Sequence, residues 1–377
     1  MKTLKIALLL FIAATGVQQQ AMAQVNRPSI KANSPKVSVK IDGKLWEARW
    51  NIEPQIQPDV FKTSAKEVVF YTDIDSISLR VDPNNPVDFN IVLNGRNAWT
   101  QVLYEPSRLA QLKHAAAYDA EDKQPIPAFT YQDKSSPELV ALRETYKLDS
   151  IAGSGSEVSQ FIHLMNWVHH QIRHDGHSEN PTIKNTNALF QICLDENRGV
   201  NCRMLAMILN ECYLAMGFKS RYITCMPKEL KFDDCHVINM VYSETLKKWL
   251  WMDPTNNAYV MDETGMLLSV AEVRERLIND KTLILNPDAN WNRKYSLTKA
   301  DYLDQYMAKN LYRIEAPVYS QYNAETWATQ QEVQYVQLVP MDAINQSPKK
   351  KVQTNPNTKV SFTNFLTNNP AIFWAQP

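Results

Sequence analysis

The chain has no excess of charge of either sign: Lys+Arg and Asp+Glu number 40 each in 377 residues. That balance removes the usual reason to expect a nucleic acid or an anionic membrane surface as a partner. No internal repeat is present, and no long low-complexity tract. The nearest is "NQSPKKKVQTNPNTK" close to the C-terminus, which reads as a solvated loop. No apolar run reaches the ~20 residues that a bilayer-spanning helix needs. There is also no C-x-x-C pair, so a zinc site built from Cys225, Cys235 and His236 has no framework to rest on. Nothing else in the sequence calls for a metal or a cofactor. What remains is an ordinary globular composition, 44% hydrophobic and 21% charged, long enough for two domains or one large domain with additions.

The N-terminus carries more information. "MKTLK" supplies two lysines, "IALLLFIAA" a short apolar run, and "AMAQ" small residues at Ala21 and Ala23. This is the pattern of a secretory leader cut after Ala23, so residues 1–23 are expected to be removed. The mature protein is then expected outside the cytoplasm, periplasmic or secreted, with no membrane insertion after cleavage. Five cysteines in an exported chain suggest disulfides, yet five is odd and leaves at least one thiol over. Cys225 and Cys235 bracket a short connection. They either pair or stand as buried thiols on neighbouring strands.

Residues 24–125 read as a β-rich domain. "KVSVKIDG" alternates, "EVVFYTDIDSISLRV" gives one or two strands, and "VDFNIVLNGRNAWTQVLYE" is expected to be a hairpin turning at Asn94-Gly95. Asp73 and Asp75 are read as turn residues rather than a metal site. From about 126 to 300 the texture is that of an α+β core. Phe161, Leu164, Trp167, Val168 and Ile172 recur at helical spacing. His163, His169, His170, His174 and His177 crowd the same stretch and resemble a metal box. Gly176 is expected to break the helix before the spacing works, which makes them surface or packing histidines. Strands "FKSRYITCM", "DCHVINMVYS" and "KKWLWMDP" and a helix "SVAEVRERLIND" follow. Residues 301–377 are read as a β-rich extension closing onto the core.

One cysteine stands apart. Within "RGVNCRMLAMILNECYLAMG" the apolar stripe is Leu205, Ile208, Leu209, Cys212 and Met216, with Gly217 as the stop. Cys212 lies inside the stripe and reads as core. Cys202 precedes it, at the helix start, where free N–H groups and the helix dipole favour an anion. A thiol so placed can titrate far below its usual ~8.5, and the same N–H groups can hold an oxyanion. A nucleophile needs a base and the base an orienting group. His236 opens one strand and Asp253 closes the next. A turn centred between Glu244 and Thr245 sets them directly opposite each other, on one face.

The ordered set "GVNCRMLAMILNECYLAMGFKSRYI", "CHVINMVY" and "KWLWMDPT" resembles the core of the transglutaminase-like superfamily, over about residues 155–290. The resemblance implies a papain-like fold in which a nucleophile helix packs on an antiparallel sheet. By motif position it makes Cys202 the nucleophile, His236 the base and Asp253 the orienting residue. Asn197 or Asn201 is the candidate second oxyanion donor. The flanks also resemble exported bacterial members with a small β domain before the core. Two departures stand out: Arg203-Met204 where the family often has an acidic or aromatic pair, and His236-Val237-Ile238 where it usually has His-Ala-Trp. The activity implied is acyl transfer on amides through a thioester, with hydrolysis of a peptide or protein substrate favoured over cross-linking. Two competing readings are a non-catalytic protein- or glycan-binding module that keeps the fold, and an envelope protein stapled by disulfides. The roles of Cys193, Cys212, Cys225 and Cys235 stay open at this stage.

Overall fold

Alternating strands dominate the first hundred residues and helices enter only later. In the computed structural model this change coincides with a division into two compact units between Glu105 and Pro106. The structure describes residues 27–229, 234–325, 332–342, 350–357 and 359–377. The expected leader and its cleavage after Ala23 lie outside the described residues. Among the described residues no helix is long and apolar enough to cross a membrane.

The first unit contains two four-stranded sheets. One runs in the order Ser29–Ala32, Val87–Leu93, Arg96–Tyr104, Asp59–Thr63, and the other Lys44–Asn51, Lys36–Ile41, Glu67–Tyr71, Ser76–Arg80. Inward residues such as Val39, Val68, Phe70, Phe89, Ile91 and Val102 are fully buried and share one core, as the period-two pattern requires. Leu93 pairs with Arg96, so the hairpin turns on Asn94 and Gly95 alone. Both take positive φ, the backbone that lets a two-residue turn match the strand twist. Asp73 and Asp75 are turn residues that accept backbone N–H groups of Asn33, Lys31 and Ser76.

The second unit is built on a seven-stranded sheet. Its order is Lys248–Met252, His236–Ser243, Ser220–Met226, Arg313–Pro317, Glu332–Leu338, Ser361–Thr367, Lys350–Thr354. All pairs are antiparallel except that between Glu332–Leu338 and Ser361–Thr367. The C-terminal strands therefore extend the core sheet itself. Lys350–Thr354 falls within the stretch read as a solvated loop. It is an exposed edge strand carrying two lysines, so it shows no buried alternation to read. The segment 106–125, read above with the β-rich region, packs here, with Leu112 buried in this unit's core and Tyr118 against it.

The helix Cys202–Ala215 lies at the centre of the second unit. Every residue from Met204 to Ala215 is buried, so it is covered all round rather than along a single stripe. Glu157–Gln171 packs on it through Phe161, Leu164, Met165 and Val168, the expected helical spacing. Two polar residues inside the central helix bond to neighbours: Asn210 Nδ2 donates to Ser320 (2.9 Å) while its buried Oδ1 has no partner among the described residues, and Glu211 accepts from Thr186 and Asn323. Gly217, at φ 88°, supplies the left-handed residue that ends the helix.

Candidate active site

Asn201 caps the central helix, its side-chain oxygen accepting from Met204 N at 3.2 Å. Cys202 is therefore the first helical residue and sits at the positive end of the dipole. The next residue, Arg203, locks this end to the sheet. Its Nε donates to Glu325 Oε2 (2.8 Å), and its Nη1 donates to Thr224 Oγ1 (2.8 Å). Tyr222 and Tyr335 hydroxyls also donate to Glu325. Burial alone would raise the Glu325 carboxyl. The Arg203 charge and these hydrogen bonds overturn that and bring it down to about 2. A carboxylate held below its unfolded value stabilises the fold above about pH 4.5 and loses that contribution as pH falls through about 2. Glu325→Gln is accordingly expected to cost about 3 kcal/mol in urea unfolding at pH 7. The difference from the parent should shrink steadily between pH 4.5 and 2; a pH-independent difference would rule out this account.

His174 reaches the cysteine through the backbone. The helix ends at Gln171, well before Gly176, and His174 then forms a parallel bridge with Val200. Asp175 N donates to Val200 O and Val200 N to Arg173 O. Gly199 makes this approach possible: a Cβ there would lie 2.3 Å from the Arg173 carbonyl oxygen. The glycine of the Gly-x-x-Cys motif is thus a close-contact residue. The Trp291 indole N–H donates to Nδ1 of His174 at 3.2 Å, which puts the proton of a neutral His174 on Nε2.

His236 and Asp253 meet, though not in the expected register. Asn239 pairs with Met252 and Ser243 with Lys248, so the turn holds four residues, Glu244 to Lys247. Asp253 then falls across from Ile238 and is a diagonal neighbour of His236. A shift of two keeps both side chains on one face. His236 Nε2 lies 2.7 Å from Asp253 Oδ2, with the two side chains 2% and 0% exposed. Tyr302 OH (2.6 Å) and Asn256 Nδ2 (3.0 Å) donate to the same oxygen. The backbone N–H groups of Thr255 and Asn256 donate to Oδ1. Burial opposes the Asp253 charge, but His236 and these donors keep its carboxyl below the usual range. Burial likewise opposes the His236 charge, and Asp253 raises its pKa to about 10.

With Nε2 on Asp253, Nδ1 of His236 is left for the sulfur. Burial would push the half-buried Cys202 thiol up. Hydrogen bonding from His174 and His236, the His236 charge and the Val237 N–H bring it down to about 6. The other four cysteines are also free thiols, and burial raises each of them. Asn201 is occupied as a cap and through Nδ2 donating to Asn180 (2.8 Å). Asn197 is exposed in a left-handed turn, its carbonyl accepting from Arg173. The structure brings neither carboxamide to the sulfur.

His174, read from the sequence as a surface or packing histidine, forms the rest of the site with Trp291, Asn256, Tyr302 and Tyr306, which the sequence did not single out. Tyr302 and Tyr306 come from a π-helical turn, Ala300–Met307, and Tyr306 meets the His236 ring edge-on at 5.3 Å. Of the other crowded histidines, His163 bonds Ala152 O and His170 bonds Asn166 O, His169 reaches the distant Pro254 O and Asn290, and His177 donates its backbone N–H to Asp175. A cavity of about 310 Å³ opens beside His174 and His236.

Residues 145–254 match the transglutaminase-like superfamily. Among solved structures, a candidate cysteine protease from Cytophaga hutchinsonii is 16% identical, over 34% of this chain and 40% of its own length, with a TM-score of 0.25. LapG of Legionella pneumophila is 12% identical over 48% of this chain and 92% of that one, TM-score 0.25. Red sea bream transglutaminase is 10% identical over 66% and 52%, TM-score 0.24. No curated protein matches the chain. The matched stretch, residues 145–254, carries Cys202, His236 and Asp253 in that order, and it is through this part that the chain is similar to the transglutaminase-like superfamily.

Proposed function

We propose that the protein is an exported cysteine enzyme that transfers acyl groups from amide bonds, with water as the usual acceptor. The observation that carries this reading is the pairing of a low-pKa thiol at a helix start with a buried, carboxylate-held imidazole. Between about pH 6 and 10 this pair is thiolate and imidazolium. The Cys202 thiolate attacks the amide carbonyl carbon. The oxyanion that develops is held by the Cys202 backbone N–H and the Nε2–H of His174, in place of the carboxamides of Asn197 or Asn201. His236 gives its Nδ1 proton to the leaving nitrogen as the C–N bond breaks, and a thioester remains. His236 then takes a proton from water, whose oxygen attacks the thioester carbonyl and releases the acid and Cys202. An amine arriving first would give transamidation instead. Export rests on the leader pattern of residues 1–23 and suits a peptide or protein substrate outside the cytoplasm.

Iodoacetamide labelling of the purified protein across pH, read residue by residue by mass spectrometry, tests the reading. Cys202 should label with a midpoint near pH 6, ahead of the other four cysteines. Labelling of Cys202 no faster than of Cys193 or Cys235 would sink it.

A further inference from the structure

The acyl-transfer reading leaves one part of the site without a task. The 310 Å³ cavity is lined by both histidines and walled by Trp291, Leu297, Tyr302 and Tyr306. Most of its polar groups are already engaged: the Tyr302 hydroxyl and Asn256 carboxamide donate to Asp253. The exception is Thr255, whose side chain is 3% exposed and whose hydroxyl has no hydrogen-bond partner among the described residues. A buried hydroxyl without a partner costs stability, and one that lines a cavity has its partner supplied when the cavity is filled. The one carboxylate among the lining residues is Asp301, which is exposed and accepts from the Thr298 hydroxyl. No lysine or arginine lines the cavity.

Resting on the function proposed above, we infer that this cavity binds the residue on the amine side of the scissile amide, and that it selects a bulky apolar side chain there. The sidedness follows from the chemistry. His236, which protonates the leaving nitrogen, lines the cavity, whereas Cys202 does not. The aromatic walls take the apolar side chain. The Thr255 hydroxyl meets a backbone amide or carbonyl of the same residue. Asp301 disfavours an acidic side chain. By microscopic reversibility, an amine that resolves the thioester enters through the same cavity and obeys the same preference.

The test uses amino-acid amides as free amines and reads protection of Cys202 from iodoacetamide in the full chain, so it needs no turnover. Phenylalaninamide and leucinamide are expected to protect at concentrations at least tenfold below alaninamide, and the α-amide of glutamic acid least of all. Asp301→Asn should bring that amide within about twofold of its glutamine counterpart. Thr255→Val should weaken all the amides together, and Leu297→Trp should remove the preference for large side chains. Equal protection by phenylalaninamide and alaninamide overturns the inference. Failure of the underlying acyl-transfer reading shows separately, as Cys202 labelling no faster than Cys193 in the absence of any amide.

Discussion

Replacing His236 with alanine is expected to slow amide hydrolysis at pH 7 by about 10³- to 10⁵-fold, while its effect on alkylation of Cys202 is far smaller. In the proposed mechanism the imidazole acts twice. Against burial, and together with the hydrogen bond from His174, it holds the Cys202 thiol at about 6 by its own hydrogen bond and charge. Without it the thiol returns to about 8.5 or higher, since burial then acts with less opposition, and the thiolate fraction at pH 7 falls about 30-fold. As a general acid it also protonates the leaving nitrogen, a contribution of about 10²- to 10⁴-fold. Iodoacetamide loses iodide, which needs no proton, so alkylation reports only the first effect. The expected result is therefore a labelling midpoint moved up by about 2 to 3 pH units, together with a hydrolysis defect much larger than the fall in thiolate. A midpoint left near pH 6 would show that the helix dipole and His174 alone depress the thiol, and would remove His236 from the pair.

This division of labour depends on residues of very different legibility. The position of Cys202 at a helix start is readable because local signals coincide: a glycine three residues earlier, a cap at Asn201 and an apolar run after it. The Gly199 requirement is itself physical, since any side chain there meets the Arg173 carbonyl. His236 and Asp253 were readable because a hairpin converts sequence distance into spatial distance. The register was off by two, and the cause lies outside the hairpin. The Glu157 carboxylate, 86 residues upstream of Ser243, accepts from the Ser243 hydroxyl and the Glu244 and Thr245 N–H groups, and so settles the turn at four residues. A period of two made the error harmless to the face assignment. Spacing alone leaves His174 as one of five crowded histidines. Its distinguishing property, a backbone bridge to Val200, is tertiary and leaves no mark in spacing. Tyr302 and Tyr306 are hidden further still, because a π-helical turn does not follow the 3.6-residue period used to read faces. The α+β class survives all of these misses, since it rests on the order of elements rather than on their side-chain partners.

The fixed orientation of the His236 ring leads to the second large effect. Asp253→Asn is expected to lower kcat by about 10⁴-fold at neutral pH while leaving the fold intact at room temperature. The carboxylate accepts two backbone N–H groups on Oδ1 and three side-chain donors on Oδ2. A carboxamide keeps its oxygen on the backbone pair, and its NH₂ then points at His236, Asn256 and Tyr302. His236 must turn its proton from Nε2 to Nδ1 to avoid a donor–donor contact. The buried ring also loses the negative charge that raised it to about 10. The imidazole becomes neutral and can no longer hold the Cys202 thiolate, so the rising limb of the kcat/KM profile should move up from about pH 6. Stability follows the same linkage. A histidine raised above its unfolded value of about 6.5 stabilises fully below that pH and loses the contribution as pH rises through about 10. Asp253, held below its usual value, contributes above about pH 4 and loses its share in acid. The gap in unfolding free energy between parent and variant should thus be widest between about pH 4.5 and 6.5, at about 3 to 5 kcal/mol, and narrow towards pH 10. Urea unfolding at pH 5.5, 7.5 and 9.5 measures it. A gap that widens with pH would mean that His236 is neutral in the folded protein and that the thiolate–imidazolium pair does not form.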